Sequence, residues 1–306
     1  MRRYDPAVMS RLTRINLDDV LTSLGWERVR FGRRVLEWPF LVPARLFARQ
    51  VLDYDNAVAE FGLQAGSQRF LSTLLKNLQI DGQELIPKSG PVLFLSNHPG
   101  MTDTVSLFAS IPRPDLRIVA ADRPFLRTLP ATDPLLIYVL DDPSSRMNVL
   151  RTVAAHLRSG GAVLTFPAGH IEPDPAVLPG ADASLDEWSS SVGVFARMVP
   201  DVQIVPVIAS GVLSPKATYH RLTHLRRLSR DRERLGATIQ IMSSVFFPRL
   251  WPDLWHVSVR IRFAHPIPAS EVIALRDPEK ITQAVVDCIR PFMNRIVQED
   301  SHSRNP

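Results

Sequence analysis

The sequence contains no long apolar run, and this absence excludes a membrane-spanning protein. Its longest apolar stretches, residues 134–140 and 204–213, are short or interrupted, whereas a helix that crosses a bilayer needs roughly 18 to 20 apolar residues. The basic first residues are followed by no apolar segment of the kind found in a secretory signal peptide. We therefore expect a cytoplasmic protein that meets membranes only peripherally.

Cysteine is almost absent as well. Cys288 is the single cysteine among 306 residues, so the chain can form no internal disulfide and no thiolate metal site. It follows Ile281 and Val285 and precedes Ile289 in an apolar helical pattern, which predicts a buried position. The sequence also lacks a P-loop, a GxSxG elbow, a GxGxxG fingerprint and a zinc-ligand spacing. We predict no metal ion and no redox cofactor.

Basic residues are in modest excess over acidic ones. Lys and Arg number 36 against 31 Asp and Glu, and most of the basic residues are arginine. Many lie in the first fifty residues, interleaved with Trp38, Phe40 and Phe47. This mixture favours a surface that rests on lipid headgroups, although a solvated helical cap with aromatics packed on the core explains it equally well. No base-reading or stacking motif accompanies the arginines, so no nucleic-acid partner is expected.

Hydrophobic periodicity predicts an α/β protein. Residues 1–79 lack alternating strand patterns and predict two helices, at 7–24 and 43–78, separated by Pro39 and Pro43. After residue 78, short apolar runs alternate with helical stretches, as in βαβ units. The predicted fold is a mixed, mainly parallel sheet flanked by helices in residues 80–306. It follows an N-terminal helical region in residues 1–79, which is either a membrane-associating surface or a solvated helical cap.

The predicted elements of this second part follow from the same patterns. Strands are predicted at 92–96, 116–120, 135–140, 162–166, 204–208 and 257–263. Helices are predicted at 104–110, 144–158, 185–198, 218–235, 270–275 and 279–297.

The segment 91–105, PVLFLSNHPGMTDTV, carries the pattern most typical of catalysis. An apolar strand ends in Asn97 and His98, and a helix begins near Asp103. Residues at the carboxyl end of a parallel strand face the crevice where open α/β sheets bind ligands. A carboxylate at the next helix N-terminus can accept a hydrogen bond from the imidazole and fix its tautomer. Such a histidine can remove a proton from an alcohol. A lone His–Asp pair at this spacing also occurs by chance in most proteins.

A second segment, 162–174, reads AVLTFPAGHIEPD and again leads from a strand into a turn. Pro167 and Gly169 expose backbone N–H groups that can line an acyl or acceptor pocket, and turn formation alone also explains them. His170 is either a polar part of an acceptor site or a surface histidine. Glu172 and Asp174 either bond an acceptor hydroxyl or amine, or belong to an exposed turn.

The NHxxxxD and FPxG blocks resemble the first and third motifs of the lysophospholipid and glycerol-phosphate acyltransferase family. Asn97, His98 and Asp103 match the first motif fully. Residues 205–207, Val-Pro-Val, are similar to the family's late Val-Pro motif, and the stretch 123–142 takes the place of its second motif. The resemblance covers roughly residues 80 to 265.

This resemblance implies an O-acyltransferase that moves a fatty acyl group from a coenzyme A or acyl-carrier-protein thioester to a hydroxyl of a lipid or glycerol-like acceptor. It implies His98 as the general base and Asp103 as the residue that orients it. No metal or other cofactor is needed beyond the thioester co-substrate. Substrate binding is expected of the following residues: Asn97, Arg123, Phe166, Pro167, Gly169 and His170.

The third motif departs from the family pattern FPEGTRS. Ala168 stands in place of the family's Glu, and His170, Ile171 and Glu172 stand in place of Thr, Arg and Ser. The missing arginine is an expected clamp on an acceptor phosphate. We therefore expect either an acceptor other than a simple glycerol phosphate, or a phosphate bound by Arg123, Arg127 or Arg146.

The loss of the family's Glu at Ala168 also leaves an alternative function open. The chain would then be a catalytically weak, membrane-associated lipid-binding protein on the acyltransferase scaffold. Retention of both His98 and Asp103 argues against it.

Overall fold

A mixed eight-stranded sheet forms the core of the computed structural model, which describes residues 4–29, 32–100, 102–140, 142–246 and 257–302. The strands are β1 (Asn77–Asp81), β2 (Val92–Ser96), β3 (Leu116–Ala121), β4 (Leu136–Val139), β5 (Ala162–Thr165), β6 (Gln203–Ser210), β7 (Ser258–Phe263) and β8 (Ile267–Pro268). Their order is β1-β7-β6-β2-β5-β3-β4, and β8 pairs with β6. The sheet confirms the predicted fold class.

The central strands β2, β5 and β6 run parallel and are buried on both faces. Their sequences read as continuous apolar runs, and every residue of β2 and β5 is buried, as expected where helices cover both sides of a parallel sheet. Leu95 of β2 pairs with Thr165 of β5 and with Pro206 of β6. This register brings the carboxyl ends of the three strands to one edge of the sheet. Strands β7 and β8 pair with β6 in the antiparallel direction.

Ten helices and several short 3₁₀ turns accompany the strands in the described ranges. The helices are α1 (Pro6–Leu24), α2 (Arg33–Phe61), α3 (Leu63–Leu71), α4 (Asp103–Ser110), α5 (Pro143–Arg158), α6 (Ser191–Met198), α7 (Pro215–Thr218), α8 (Ser229–Phe246), α9 (Ala269–Val272) and α10 (Pro278–His302). Of these described helices, none combines the length and apolarity needed to cross a membrane.

The chain divides into two compact units. The sheet unit comprises Leu78–Asp122, Pro134–Val212 and Val259–Pro306, and the helical unit comprises Met1–Asn77, Arg123–Asp133 and Leu213–Ser258. In the sheet unit, side chains such as Leu93, Val163 and Phe195 pack into one apolar core. Two later segments thus join the N-terminal helices in the helical unit.

Buried apolar and polar contacts explain the make-up of the helical unit. Leu12 of α1 packs with Val51 and Leu52 of α2 and with Leu129. The buried carboxylate of Asp55 accepts hydrogen bonds from the backbone N–H groups of residues 131 and 132, at 3.1 and 2.9 Å, and from the hydroxyl of residue 132, at 2.7 Å. These bonds fix the segment 123–133 to α2, because a buried carboxylate needs such partners.

The predicted helix break at Pro39 and Pro43 is wrong. Helix α2 continues through both prolines, although each lacks the N–H that an interior helical residue donates. Pro43, Ala44 and Ala48 are buried, and the side-chain amide of Asn16 on α1 donates to the Ala44 carbonyl oxygen at 3.1 Å. Packing against α1 outweighs the local penalty. The helix predicted over 43–78 instead ends at Phe61, before Gly62 with φ of 83°.

Three other local predictions are corrected. Strand β1 was not predicted, because its residues are exposed or half-exposed and form no apolar run. The single helix predicted over 218–235 is a 3₁₀ turn, Arg221–Leu225, followed by α8. Cys288 is exposed. It lies about 100° around α10 from the buried Ile289, since successive helical residues differ by that angle.

Candidate active site

Asn97 continues β2 beyond its last paired residue and ties it to β6. Its side chain is completely buried. The amide nitrogen donates to the carbonyl oxygen of Ala209 at 3.0 Å, and the amide oxygen accepts from the N–H of Ala209 at 2.8 Å. Both polar ends of Asn97 are therefore used within the fold, and the main chain that leads into His98 is fixed. Its predicted contact with substrate stays a prediction.

His98 and Asp103 form a hydrogen-bonded pair. The Nδ1 atom of His98 lies 2.8 Å from Oδ2 of Asp103. The side chain of Asp103 is 1% exposed and that of His98 is 27% exposed. Because a carboxylate only accepts, Nδ1 carries the hydrogen and Nε2 keeps a free lone pair. Among the described residues, Nε2 has no hydrogen-bond partner, so the basic nitrogen is available to a substrate.

Asp103 is held on both of its oxygens. Oδ2 also accepts from the backbone N–H of Gly100 at 2.9 Å. Oδ1 accepts from the backbone N–H of Thr104 and from its hydroxyl, the latter at 2.9 Å. Asp103 is the first residue of α4, where the helix dipole favours a negative charge. The carboxylate is thus fixed before any substrate binds.

The surroundings of His98 favour its protonated form. Burial lowers the pKa of His98, but the charge of Asp103, the hydrogen bond to it and the charge of Glu172 together raise that pKa above the ordinary value of 6.5. An imidazole of this kind is a stronger base than a free histidine. The charge of Asp103 also stabilises the imidazolium that forms when His98 takes up a proton.

The turn after β5 lies beside His98, as the pairing of β2 with β5 requires. The rings of Phe166 and His98 have centroids 4.5 Å apart and are tilted by 36°. The carbonyl oxygen of Phe166 accepts from the N–H of Gly169 at 3.0 Å, and Gly169 has a positive φ of 70°, which favours glycine. The Pro167 carbonyl oxygen accepts from the N–H of Ser189 at 3.0 Å.

His170 is bonded to its own loop and to a neighbouring turn. Its Nδ1 lies 2.8 Å from the carbonyl oxygen of Ala168, and its Nε2 lies 2.9 Å from Oε2 of Glu187. Arg123 is an exposed residue of the helical unit. The expected roles of both in substrate binding stay predictions.

Glu172 and Asp174 are buried, so their interpretation as an exposed turn is wrong. Glu172 is 2% exposed and Asp174 is fully buried. Oε2 of Glu172 accepts from the N–H of His98 at 2.9 Å. Oδ1 of Asp174 accepts from the N–H groups of Ala176 and Gly211, at 2.9 and 2.8 Å. The partners of Glu172 and Asp174 at positions 98 and 211 lie far away in the sequence, so no local signal could have identified them.

The described residues contain no group of three or more His, Cys, Asp or Glu side chains arranged to hold a metal ion. The candidate site comprises His98, Asp103 and the turn after β5.

One comparison with known proteins covers the segment that holds this site. Residues 77–210, which include β2, His98, Asp103 and the turn after β5, match the family model described as Acyltransferase. This match spans less than half of the chain, and for that segment it supports the phospholipid and glycerol acyltransferase family. The same match supports an O-acyltransferase as the type of enzyme to which this segment is similar.

Among solved structures, the chain is similar to the crystal structure of the 1-acyl-sn-glycerophosphate (LPA) acyltransferase PlsC from Thermotoga maritima. The two share 15% sequence identity, the match covers 94% of each chain, and the TM-score is 0.46. No curated protein matches the chain.

Proposed function

We infer that the protein transfers a fatty acyl group from a coenzyme A or acyl-carrier-protein thioester to a hydroxyl of a glycerolipid-like acceptor. The observation that carries this proposal is the contact of 2.8 Å between Nδ1 of His98 and the buried Asp103, which leaves Nε2 without a hydrogen-bond partner among the residues that the structure describes. A histidine with one fixed nitrogen and one available nitrogen is suited to deprotonate an alcohol.

The proposed reaction needs no covalent enzyme intermediate. Nε2 of His98 takes the proton of the acceptor hydroxyl while the oxygen attacks the carbonyl carbon of the thioester. Asp103 stabilises the resulting imidazolium through Nδ1. When the tetrahedral intermediate collapses, the carbon–sulfur bond breaks and the thiolate receives the proton from His98. The products are an ester and a free thiol.

Radiolabelled acyl-CoA and a lipid extract test this proposal directly. We expect the wild-type protein to form a labelled lipid and the His98→Ala variant to form none above the spontaneous rate. Turnover by His98→Ala equal to that of the wild type would refute the role of His98 as general base. If neither protein turned the thioester over but both bound lipid, the lipid-binding alternative suggested by Ala168 would replace the enzyme.

The acceptor is proposed from the altered third motif. The motif's expected arginine is absent, and Ile171 occupies its position. We propose that the acceptor is not a simple glycerol phosphate, or that Arg123, Arg127 or Arg146 binds its phosphate. Efficient acylation of lysophosphatidate that survives each single Arg→Ala change would contradict both forms of this proposal.

Membrane contact is proposed for one face of α2. Val35, Trp38 and Val42 are 77%, 78% and 59% exposed and recur at the spacing of a single helical face. The exposed Arg45 and Arg49 lie on the same helix. Large exposed apolar side chains beside arginines suit a bilayer with anionic headgroups. We propose that this face rests on such a membrane while the acceptor is acylated.

A further inference from the structure

Glu172 is a buried carboxylate with hydrogen-bond donors on both oxygens. Oε2 accepts from the backbone N–H of His98 at 2.9 Å. Oε1 accepts from the indole N–H of Trp188 and from the hydroxyl of Ser184, both at 3.0 Å. A carboxylate in such a place is costly unless its oxygens are paired. The three donors therefore determine where it lies, although Glu172 has no part in the reaction derived above.

A second hydrogen bond joins Glu172 to the same residue. The backbone N–H of Glu172 donates to the carbonyl oxygen of His98 at 2.8 Å. His98 is thus bound through both of its main-chain polar groups to one residue, 74 positions later in the chain. Its ring is bound separately to Asp103. Removal of the Glu172 carboxylate would free one of these main-chain groups and leave the contact with Asp103 in place.

Charge adds to this geometry. In the described part of the chain, two charged groups act on the imidazole of His98: Asp103 on α4 and Glu172 on the segment after β5. Both raise the pKa of His98, against the effect of burial. Burial raises the pKa of Glu172, whereas its three hydrogen-bond donors and the charge of His98 lower it.

We propose that Glu172 is a positioning residue, whose carboxylate fixes the main chain of His98 and holds a negative charge next to that residue. The proposal rests on the proposed function only through the role of His98 as general base. The proposal also concerns the departure from the family motif. Ala168 lacks the carboxylate of the family's Glu, but Glu172, four residues later, is buried and accepts a hydrogen bond from the N–H of His98.

The Glu172→Gln variant tests the proposal because an amide has only one accepting end. It cannot accept from the His98 N–H and from the Trp188 indole at the same time. We expect kcat to fall by up to about 100-fold, the loss that a displacement of about 1 Å can cause. We also expect the acidic limb of the kcat/KM profile to move to lower pH, because the removed charge no longer raises the pKa of His98.

A double variant separates position from charge. Trp188→Phe removes the competing indole donor, so the amide oxygen of Gln at position 172 can accept from the His98 N–H and its NH₂ group can face the Ser184 hydroxyl. We expect Glu172→Gln/Trp188→Phe to regain part of kcat relative to Glu172→Gln while its acidic limb stays shifted. It also supplies a folded protein if the single variant is unstable, and Trp188→Phe alone serves as its reference.

Asp186→Asn is the matched control. Asp186 lies on the 3₁₀ turn Ala183–Glu187 that also carries Ser184, but it pairs with Arg290 and is exposed. This variant loses the same charge without touching His98. We therefore expect it to have the kcat of the wild type and an unchanged acidic limb of the kcat/KM profile.

NMR titration of the His98 ring gives a readout without turnover, with the resonance assigned by its loss in His98→Gln. A lower pKa of His98 in the variants of Glu172, but not in Asp186→Asn, supports the proposal. An unchanged pKa in Glu172→Gln and in the double variant overturns it. Undiminished turnover by His98→Ala would instead refute the proposed function, and the NMR result for Glu172 would still be interpretable.

Discussion

Replacement of Asp103 by asparagine tests the central pair of the site. The carboxylate accepts from His98 and Gly100 on one oxygen and from two donors of Thr104 on the other. An amide can accept on one side only. If its oxygen faces His98, its NH₂ group meets the N–H of Thr104. If its NH₂ group faces His98, it opposes the N–H of Gly100 and forces the hydrogen of the imidazole onto Nε2.

Each orientation has a measurable cost. A buried N–H without an acceptor lowers the free energy of unfolding by about 1–3 kcal/mol. One orientation removes the negative charge that stabilises the imidazolium, and the other removes the free lone pair at Nε2. General base catalysis contributes about 10²- to 10⁴-fold, so kcat of Asp103→Asn should fall by that factor, or about 3–5 kcal/mol in activation free energy.

Single-turnover kinetics with radiolabelled acyl-CoA, well below the melting temperature, measure this loss apart from stability. Ser106→Ala is the control, because Ser106 is buried on the same helix and its hydroxyl has no hydrogen-bond partner among the described residues. We expect that control to keep its activity and stability. Wild-type turnover by a folded Asp103→Asn protein would refute the orienting role of the carboxylate.

Four further predictions concern the pKa of His98, the core of the sheet and the exposed face of α2. The acidic limb of the wild-type kcat/KM profile should have its midpoint above 6.5, since the pKa of His98 is raised; a midpoint below that value contradicts the site electrostatics. Because the pKa of His98 is higher in the folded than in the unfolded chain, its protonation stabilises the fold. This contribution is complete below the unfolded-state pKa of His98 and is lost as the pH rises through the folded-state pKa, which denaturation at several pH values will show. Phe94→Ala should lower the free energy of unfolding by about 3–5 kcal/mol, because Phe94 is fully buried and packs edge-on against Phe263; a change below about 1 kcal/mol, the average cost of a point mutation, would contradict that packing. Trp38→Glu with Val42→Glu should abolish sedimentation with anionic vesicles without a change in melting temperature, and undiminished sedimentation would exclude this face of α2.

The central strands were predictable because they are apolar and buried on both faces. The strand predicted over 92–96 coincides with β2, and that over 162–166 differs from β5 by one residue. His98 and Asp103 were identified because the strand, the turn and the helix start that bring them together lie within one short segment. Local pattern and tertiary structure agree there.

Prediction failed where distant parts of the chain decide the structure. Helix α2 passes through Pro39 and Pro43 because α1 packs on it. Glu172 is buried because its donors come from residues 98, 184 and 188, and no periodicity in the segment 168–174 encodes those contacts. The sequence around Glu172 and Asp174 is therefore typical of a solvated loop, although both side chains are buried.

The hydrogen bonds that hold the segment after β5 allow acceptor recognition and the geometry of the His98–Asp103 pair to vary independently. Glu172 and Asp174 attach this segment to the carboxyl ends of the neighbouring strands, through His98 and Gly211. The side chains of residues 168–171 form none of the hydrogen bonds that hold His98. Under the proposed function, substitutions in residues 168–171 can therefore change which acceptor is recognised while His98 and Asp103 keep their geometry. Under the proposed function, we expect the departure of residues 168–171 from the family motif to affect the choice of acceptor and to leave the contact between His98 and Asp103 unchanged.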